Sequence, residues 1–89
     1  MRLAHEDFDL VIYNAGVDPH EDCWIGGLDG ISHATLQARD RIVFNWCKTN
    51  NFPVAFCLAG GYTNKILSEK RLVQLHRSTI KAASSISKF

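Results

Sequence analysis

Two short segments of the chain combine small residues with a side chain capable of chemistry. The first is Ala-Gly-Val-Asp at residues 15–18, and the second is Ala-Gly-Gly-Tyr at residues 59–62. Glycine and alanine let a backbone approach a ligand closely, and each segment then ends in a reactive group. The carboxylate of Asp18 could hold a metal ion or a proton, whereas the phenol of Tyr62 could donate a hydrogen bond.

Both segments end predicted strands that are separated by a helix. Continuous β-rich apolar runs at residues 10–13 and 53–59 are typical of strands in a parallel sheet with both faces covered. Ser32 is a predicted N-cap for a helix to about Thr49, and Ser68 for a second helix. This βαβα order predicts parallel strands, whose carboxyl ends lie at the same edge of the sheet. Because the chain supplies little to cover both faces, we interpret it as part of a larger sheet.

Each predicted helix has an apolar side. In the first helix, Ile42, Val43, Trp46 and Cys47 predict a packed face, and residues 39–41 (Arg-Asp-Arg) a solvated face with local ion pairs. In the second helix, the apolar stripe comprises Leu72, Leu75, Thr79, Ala82 and Ala83.

Composition is that of a globular protein with no general affinity for nucleic acid or membranes. The 89 residues carry a formal net charge of +1, with dispersed basic residues, and 46% are hydrophobic. No apolar run reaches the roughly 20 residues needed to span a bilayer. Three cysteines without CxxC spacing argue against a disulfide framework and favour a cytoplasmic location. We therefore expect neither nucleic acid nor a membrane among the partners.

In order along the chain, five segments resemble the zinc-dependent histone deacetylase family, most closely its bacterial and class IV-like members. The likeness extends over about residues 9–80. Its segments are Leu-Val-Ile-Tyr-Asn-Ala-Gly-Val-Asp-Pro-His-Glu-Asp (10–22), Ile-Gly (25–26), Gly-Leu-Asp-Gly-Ile-Ser (27–32), Arg-Asp-Arg (39–41) and Leu-Ala-Gly-Gly-Tyr (58–62). The resemblance implies that residues 1–89 are the C-terminal part of a deacetylase domain, an incomplete βαβα piece of the parallel-sheet arginase/deacetylase fold.

The resemblance also implies a role for individual residues. Asp18 falls on a zinc ligand of the family, and Tyr62 on the catalytic tyrosine that stabilises the oxyanion formed when water attacks the acyl carbonyl. Ile25 falls on a position lining the acyl channel, and Gly60 and Gly61 on the pocket wall near the substrate. The implied cofactor is Zn²⁺, and the implied substrate is an acylated protein or a small N-acyl amine.

Other parts of the family's active site have no counterpart in the chain. The family uses an upstream Asp-x-His pair as further zinc ligands and a tandem His-His as general base and partner. The only Asp-x-His here is Asp18-Pro19-His20, which matches the later loop, and His-His does not occur. One carboxylate cannot hold a catalytic zinc ion. We therefore expect the chain to be a fragment, inactive without the N-terminal portion of the same domain.

Residue types alone allow simpler interpretations. Asp18 before Pro19 could be a turn aspartate, and Tyr62 could be an aromatic residue packed at a strand end. Residues 20–22 (His-Glu-Asp) could be a solvated acidic loop, and His76 a partly buried structural histidine. The whole chain could be a non-catalytic α/β interaction module that binds a partner through its open sheet edge.

Overall fold

The fold consists of two strands and two helices in alternation. The computed structural model of the chain describes residues 7–23, 26–61, 63–64 and 66–86. Its elements are β1 (Val11–Gly16), α1 (His33–Thr49), β2 (Val54–Ala59) and α2 (Glu69–Ile86). The predicted order is confirmed, and the chain is a small α/β protein.

The two strands form a parallel pair. Their register sets Val11 opposite Val54 at one end and Gly16 opposite Ala59 at the other. The two strands therefore end side by side, at Gly16 and Ala59, as the sequence predicts.

The ends of α1 follow from local chemistry. Ser32 is the N-cap, and its hydroxyl accepts a hydrogen bond from the Thr35 N–H at 3.3 Å. After the helix, Asn51 adopts a φ of 57°, a conformation that asparagine tolerates better than most residues. The Phe52 N–H then donates to the Cys47 carbonyl at 2.8 Å, which directs the chain into β2.

The packed face of α1 agrees with the predicted one at Cys47 and in part at Val43 and Trp46, which are half-buried, and differs from it at Ile42. Its buried residues are Leu36, Asp40, Phe44 and Cys47, whereas Ile42 is 63% exposed. The Phe44 ring makes edge contacts at centroid distances of 5.5 Å with Tyr13 and 5.3 Å with Phe56. These two rings lie opposite one another in the sheet, and Phe44 packing against both sets the rotation of α1.

The apolar stripe predicted for α2 is confirmed at its most buried positions. Leu72, Leu75 and Thr79 are buried, and Ala82 and Ala83 are half-buried. The stripe packs α2 beside α1. Neither helix of the described chain is long and apolar enough to cross a membrane.

Only one face of the sheet is covered within the described residues. On the covered face, Tyr13 and Phe56 contact α1. The other face, which we call the open face, consists of the exposed residues Ile12, Asn14, Ala55 and Cys57. The expectation of two covered faces is therefore met on one side only.

Candidate functional site

Asp18 lies in a tight turn just beyond β1. The Val17 N–H donates to the Ala59 carbonyl at 3.1 Å, which extends the parallel pairing by one residue. The His20 N–H then donates to the Val17 carbonyl at 3.0 Å, with Asp18 and Pro19 at the centre of the turn. The backbone of Asp18 is therefore that of a turn aspartate, which is the simpler interpretation of this residue. The contacts of its carboxylate then decide whether it could also belong to a site.

The Asp18 carboxylate lies against Gly60. A Cβ atom built on Gly60 would overlap the Asp18 Oδ1 atom and would lie 3.1 Å from Cγ and 3.3 Å from Val17 Cγ2. Gly60 also has a φ of +85°, which L side chains rarely adopt. The Cys23 Sγ atom lies 3.9 Å from the same carboxylate oxygen. The two motif segments therefore meet in space, and the contact depends on the absence of a side chain at position 60.

The loops that follow the two strands are tied together. Asn64, in the second loop, donates from its side-chain amide to the Asp22 carbonyl in the first loop at 2.9 Å. Arg71, in the first turn of α2, forms an ion pair with the Asp22 carboxylate at 2.6 Å. The Asn64 Oδ1 atom accepts from the N–H groups of Ile66 and Leu67 at 2.7 and 2.8 Å. The bonds from Asn64 and Arg71 to Asp22 hold the second loop close to the first.

A hydrophobic cluster links these loops to the helices. It comprises Val17, Cys23, Leu36, Leu67, Leu72 and Leu75, with Ile31 packed against it. Because its members come from both loops and both helices, the cluster joins the loops to the helical layer.

Asp40 is buried, so the prediction of a solvated face at residues 39–41 is wrong for this residue, whereas Arg41 is exposed and the predicted local ion pair forms between Arg39 and Asp40. Asp40 is only 1% exposed. It accepts hydrogen bonds from the Tyr13 hydroxyl at 2.5 Å and the Thr79 hydroxyl at 2.6 Å, and pairs with Arg39 at 3.0 Å. Burial, reinforced by the hydrogen bond to Asp40, raises the pKa of Tyr13. One carboxylate thus connects β1, α1 and α2.

Two basic side chains of the helices reach the carboxyl ends of the strands. Arg39 donates from Nη1 to the Gly16 carbonyl at 2.5 Å, and His76 Nε2 lies 2.7 Å from the Gly60 carbonyl oxygen. His76 is half-buried, as the sequence predicts. Sequence reasoning missed these contacts, since the partners lie 23 and 16 residues away along the chain.

His20 is buried rather than solvated, so the prediction of a solvated loop at residues 20–22 is wrong for this residue. It is 3% exposed, and its Nδ1 atom accepts a hydrogen bond from the Asp22 N–H at 3.1 Å. Its role here is to shape the loop. Glu21 is exposed.

The metal ligand that the resemblance implies, Asp18, contributes one carboxylate. Within the described ranges no group of three or more His, Cys, Asp and Glu side chains could hold one. A half-buried carboxylate beside a glycine is compatible with one of the three protein ligands of a catalytic zinc ion. The described residues do not supply the other two.

The remaining predicted site residues divide into two groups. Gly60 and Gly61 follow β2 directly, and Gly61 is exposed. Tyr62 and Ile25 lie outside the described residues. The roles of all four, like that of Asp18, stay predictions.

An apolar groove of about 390 Å³ lies at the other end of the sheet. It is lined by Phe44, by Val54 and Phe56 from the first half of β2, and by residues of the second half of α2 that include Ile80 and Ala83. Because β2 begins at Val54, the groove is at the amino end of the sheet, away from Asp18.

The described residues form a small α/β protein in which Asp18, Gly60 and Gly61 lie at the carboxyl ends of two parallel strands. No protein-family model matches the chain, and no solved structure does. An uncharacterized protein of Picosynechococcus sp. (strain PCC 7002) is 40% identical over 58 residues, which are 65% of this chain and 19% of that relative. The matched part therefore spans about a fifth of the relative's length.

Proposed function

We propose that the chain supplies part of the active site of a zinc-dependent deacetylase that hydrolyses acetyl-lysine or a related N-acyl amine. The proposal rests on the family resemblance of the motifs and on one structural observation. The Asp18 carboxylate, the proposed zinc ligand, touches Gly60, which lies two residues before the proposed catalytic tyrosine. Chemistry that needs a metal-holding carboxylate and an oxyanion donor in one pocket requires such proximity.

In this mechanism, Asp18 would supply one of the ligands that hold zinc, and Tyr62 would bind the substrate oxygen. Zinc, when bound, supplies Lewis acidity towards the acyl carbonyl and towards water. Tyr62 donates its phenolic hydrogen to the carbonyl oxygen and, more strongly, to the oxyanion that replaces it. Removal of one such donor typically lowers kcat by about 10²–10³-fold. Gly60 and Gly61 leave space beside the carboxylate for the substrate.

Further zinc ligands and the general base must come from segments outside this chain. In the family these are an Asp-x-His pair and a tandem His-His, and we propose that an N-terminal portion of the same domain carries them. The chain by itself then binds zinc no better than other acidic peptides and releases no acetate.

The test is a chimera of the Picosynechococcus relative in which this chain replaces the matched segment. We expect zinc-dependent release of acetate from an acetyl-lysine peptide by the chimera. The variants Asp18→Asn and Tyr62→Phe should lower kcat/KM by about 10²-fold or more, through lost metal binding and lost oxyanion stabilisation respectively.

Asp29→Asn is the matched control, because Asp29 is an exposed aspartate of the loop between β1 and α1. It should retain the activity of the chimera. The relative itself is assayed first for zinc-dependent release of acetate. Its own failure to release acetate, a well-folded chimera that releases none although the relative does, or equal activity in the Asp18→Asn and Asp29→Asn variants would each count against the proposal.

The alternative proposal is a non-catalytic interaction module. The observation in its favour is the open face, where Ile12 is 77% exposed. A module binds a partner with this face or with the adjacent strand edges. The two proposals differ in what covers the open face.

A further inference from the structure

We infer that Arg39 and His76 are a matched pair of positioning residues, each fixing the backbone two residues before a functional side chain. This inference rests on the proposed function of Asp18 and Tyr62. Arg39, on α1, binds the carbonyl of Gly16, and His76, on α2, binds the carbonyl of Gly60. Asp18 follows Gly16 by two residues, and Tyr62 follows Gly60 by two residues.

The guanidinium of Arg39 is held in a fixed orientation. Its Nε and Nη2 atoms donate to the Asp40 Oδ1 atom at 3.2 and 3.0 Å. The Nη1 atom remains for the Gly16 carbonyl, which it meets at 2.5 Å. Arginine presents its donors in a rigid planar fork, so anchoring two of them determines where the third points. Arg39 therefore fixes the position of the last residue of β1.

The anchor of Arg39 is itself held from two other elements. Tyr13 of β1 and Thr79 of α2 both donate hydroxyl hydrogens to the Asp40 carboxylate. Thr79 is fully buried. Because a buried carboxylate with several donors has little freedom to move, it gives Arg39 a stable reference point.

The imidazole of His76 makes the corresponding contact at the end of the second strand, β2. A carbonyl oxygen can only accept, so the 2.7 Å contact requires a hydrogen on Nε2 of His76. Its Nδ1 atom is buried and has no hydrogen-bond partner among the described residues. The imidazole thus makes a single polar contact there, and that contact is with Gly60, whose φ of +85° turns the chain out of β2.

The two contacts are connected through α2. His76 and Thr79 are three residues apart, and residues at this spacing lie on the same side of a helix. One side of α2 therefore reaches both the Gly60 carbonyl and the Asp40 anchor of Arg39. Each contact is nevertheless made to the end of a different strand, so each substitution should affect its own loop more than the other.

The first test measures backbone order in the full-length chain by NMR relaxation. We expect Arg39→Met to lower the order parameter of Asp18, and His76→Leu that of Gly61, from about 0.85 towards 0.6 or less. Each variant removes the donor and retains an apolar side chain of similar size. The variant His76→Gln restores a donor and should restore order at Gly61.

The second test uses the deacetylase chimera and separates zinc affinity from turnover. Arg39→Met should weaken zinc affinity by about 10–100-fold, the usual effect of losing a residue that orients a ligand. His76→Leu should lower kcat by about 10–100-fold, because small misplacement of a catalytic group has effects of this size. Its zinc affinity should fall less than that of Arg39→Met, because the backbone leading to Asp18 is held by Arg39, and Asp18 meets the Gly60 segment only through its carboxylate.

Arg41→Met and Arg77→Leu are the matched controls, since both arginines are exposed on the same helices. Neither should change order parameters, zinc affinity or kcat. A purely structural role predicts that Arg39→Met and His76→Leu lower zinc affinity and kcat together, in proportion to lost stability, and this result would overturn the inference. Unchanged order at Asp18 and Gly61 would overturn it as well. If the unsubstituted chimera is inactive, the deacetylase proposal fails, while the order parameters still decide whether the two residues fix the loops.

Discussion

At the scale of single residues, the candidate site depends on Gly60, where two independent features of the structure disfavour any side chain. The backbone of Gly60 has a φ of +85°, and a Cβ atom there would overlap the Asp18 carboxylate. The overlap is with the far end of a short side chain, so Asp18 would have to turn away for a larger residue to fit. Gly60 thereby determines where the proposed metal ligand points.

Replacing Gly60 should therefore affect both stability and the site. We expect Gly60→Ala to lower the free energy of unfolding by about 1–3 kcal/mol, the cost of a non-glycine residue in left-handed backbone. Urea denaturation measures the loss. The control is Gly61→Ala, because a Cβ atom at Gly61 meets nothing within 4 Å. Equal losses for the two variants would show that the described geometry of Gly60 is wrong.

At the scale of secondary-structure elements, the Asp40 cluster joins the sheet to the helices with polar bonds inside an otherwise apolar interface. Asp40 belongs to α1, and its partners Tyr13 and Thr79 belong to β1 and α2. Breaking one bond leaves part of a buried carboxylate unsatisfied, which costs more than the bond itself contributes. The mutual placement of three elements thus depends on one carboxylate.

Tyr13→Phe tests this connection and carries a pH dependence. At neutral pH we expect the variant to unfold more easily by about 1.5–3 kcal/mol, the value of a hydrogen bond to a charged group. Burial and the Asp40 bond raise the pKa of Tyr13 in the folded protein above its ordinary value of 10.0. The unfolded chain therefore loses this proton first, so the contribution of Tyr13 is complete below pH 10 and declines as the pH rises further.

The measurement is the difference in unfolding free energy between wild type and Tyr13→Phe from pH 8 to 11. Other ionisable groups contribute equally to both proteins, so the difference isolates Tyr13. We expect it to be constant up to about pH 10 and to shrink above that. A difference that grows with alkaline pH would contradict the assigned hydrogen bond.

Local features of the sequence predicted the elements well, whereas the orientation of side chains needed tertiary information. Ser32 caps α1 as expected, because capping involves only neighbouring backbone. The sequence pattern places Ile42 on the packed face, yet it is exposed, since the rotation of α1 is set by Phe44 against two rings of the sheet. The pattern places Asp40 in solvent, because its partners, 27 and 39 residues away, leave no local signal.

The candidate site shows the same division between local and distant information. The meeting of Asp18 with Gly60 follows from parallel pairing of two strands, which the sequence order predicts. The contacts of Arg39 and His76 with the strand ends could not be predicted, because they depend on the exact rotation of each helix. Tyr62 and Ile25 lie outside the described residues, so their placement stays a prediction.

At the scale of the whole molecule, the open face is the largest departure from a self-sufficient α/β protein. Parallel sheets are almost always covered on both faces, yet here Ile12 is 77% and the nearby Leu10 52% exposed. Apolar groups in these positions favour association, with another part of the same domain or with another molecule. What covers this face distinguishes the deacetylase proposal from the interaction module.

Ile12→Lys tests what covers the open face, with Ile42→Lys as the control, because Ile42 is 63% exposed on the solvent side of α1. In the isolated chain, Ile12→Lys should reduce self-association, measured by sedimentation velocity, while thermal unfolding of the monomer changes little. In the deacetylase chimera the same substitution would bury a charge between layers of one domain, and we expect severe loss of soluble folded protein. Ile42→Lys should be tolerated in both settings. A chimera that accepts Ile12→Lys with its fold intact would mean that no other layer of the domain covers Ile12, and the interaction module would then be the better explanation of the open face.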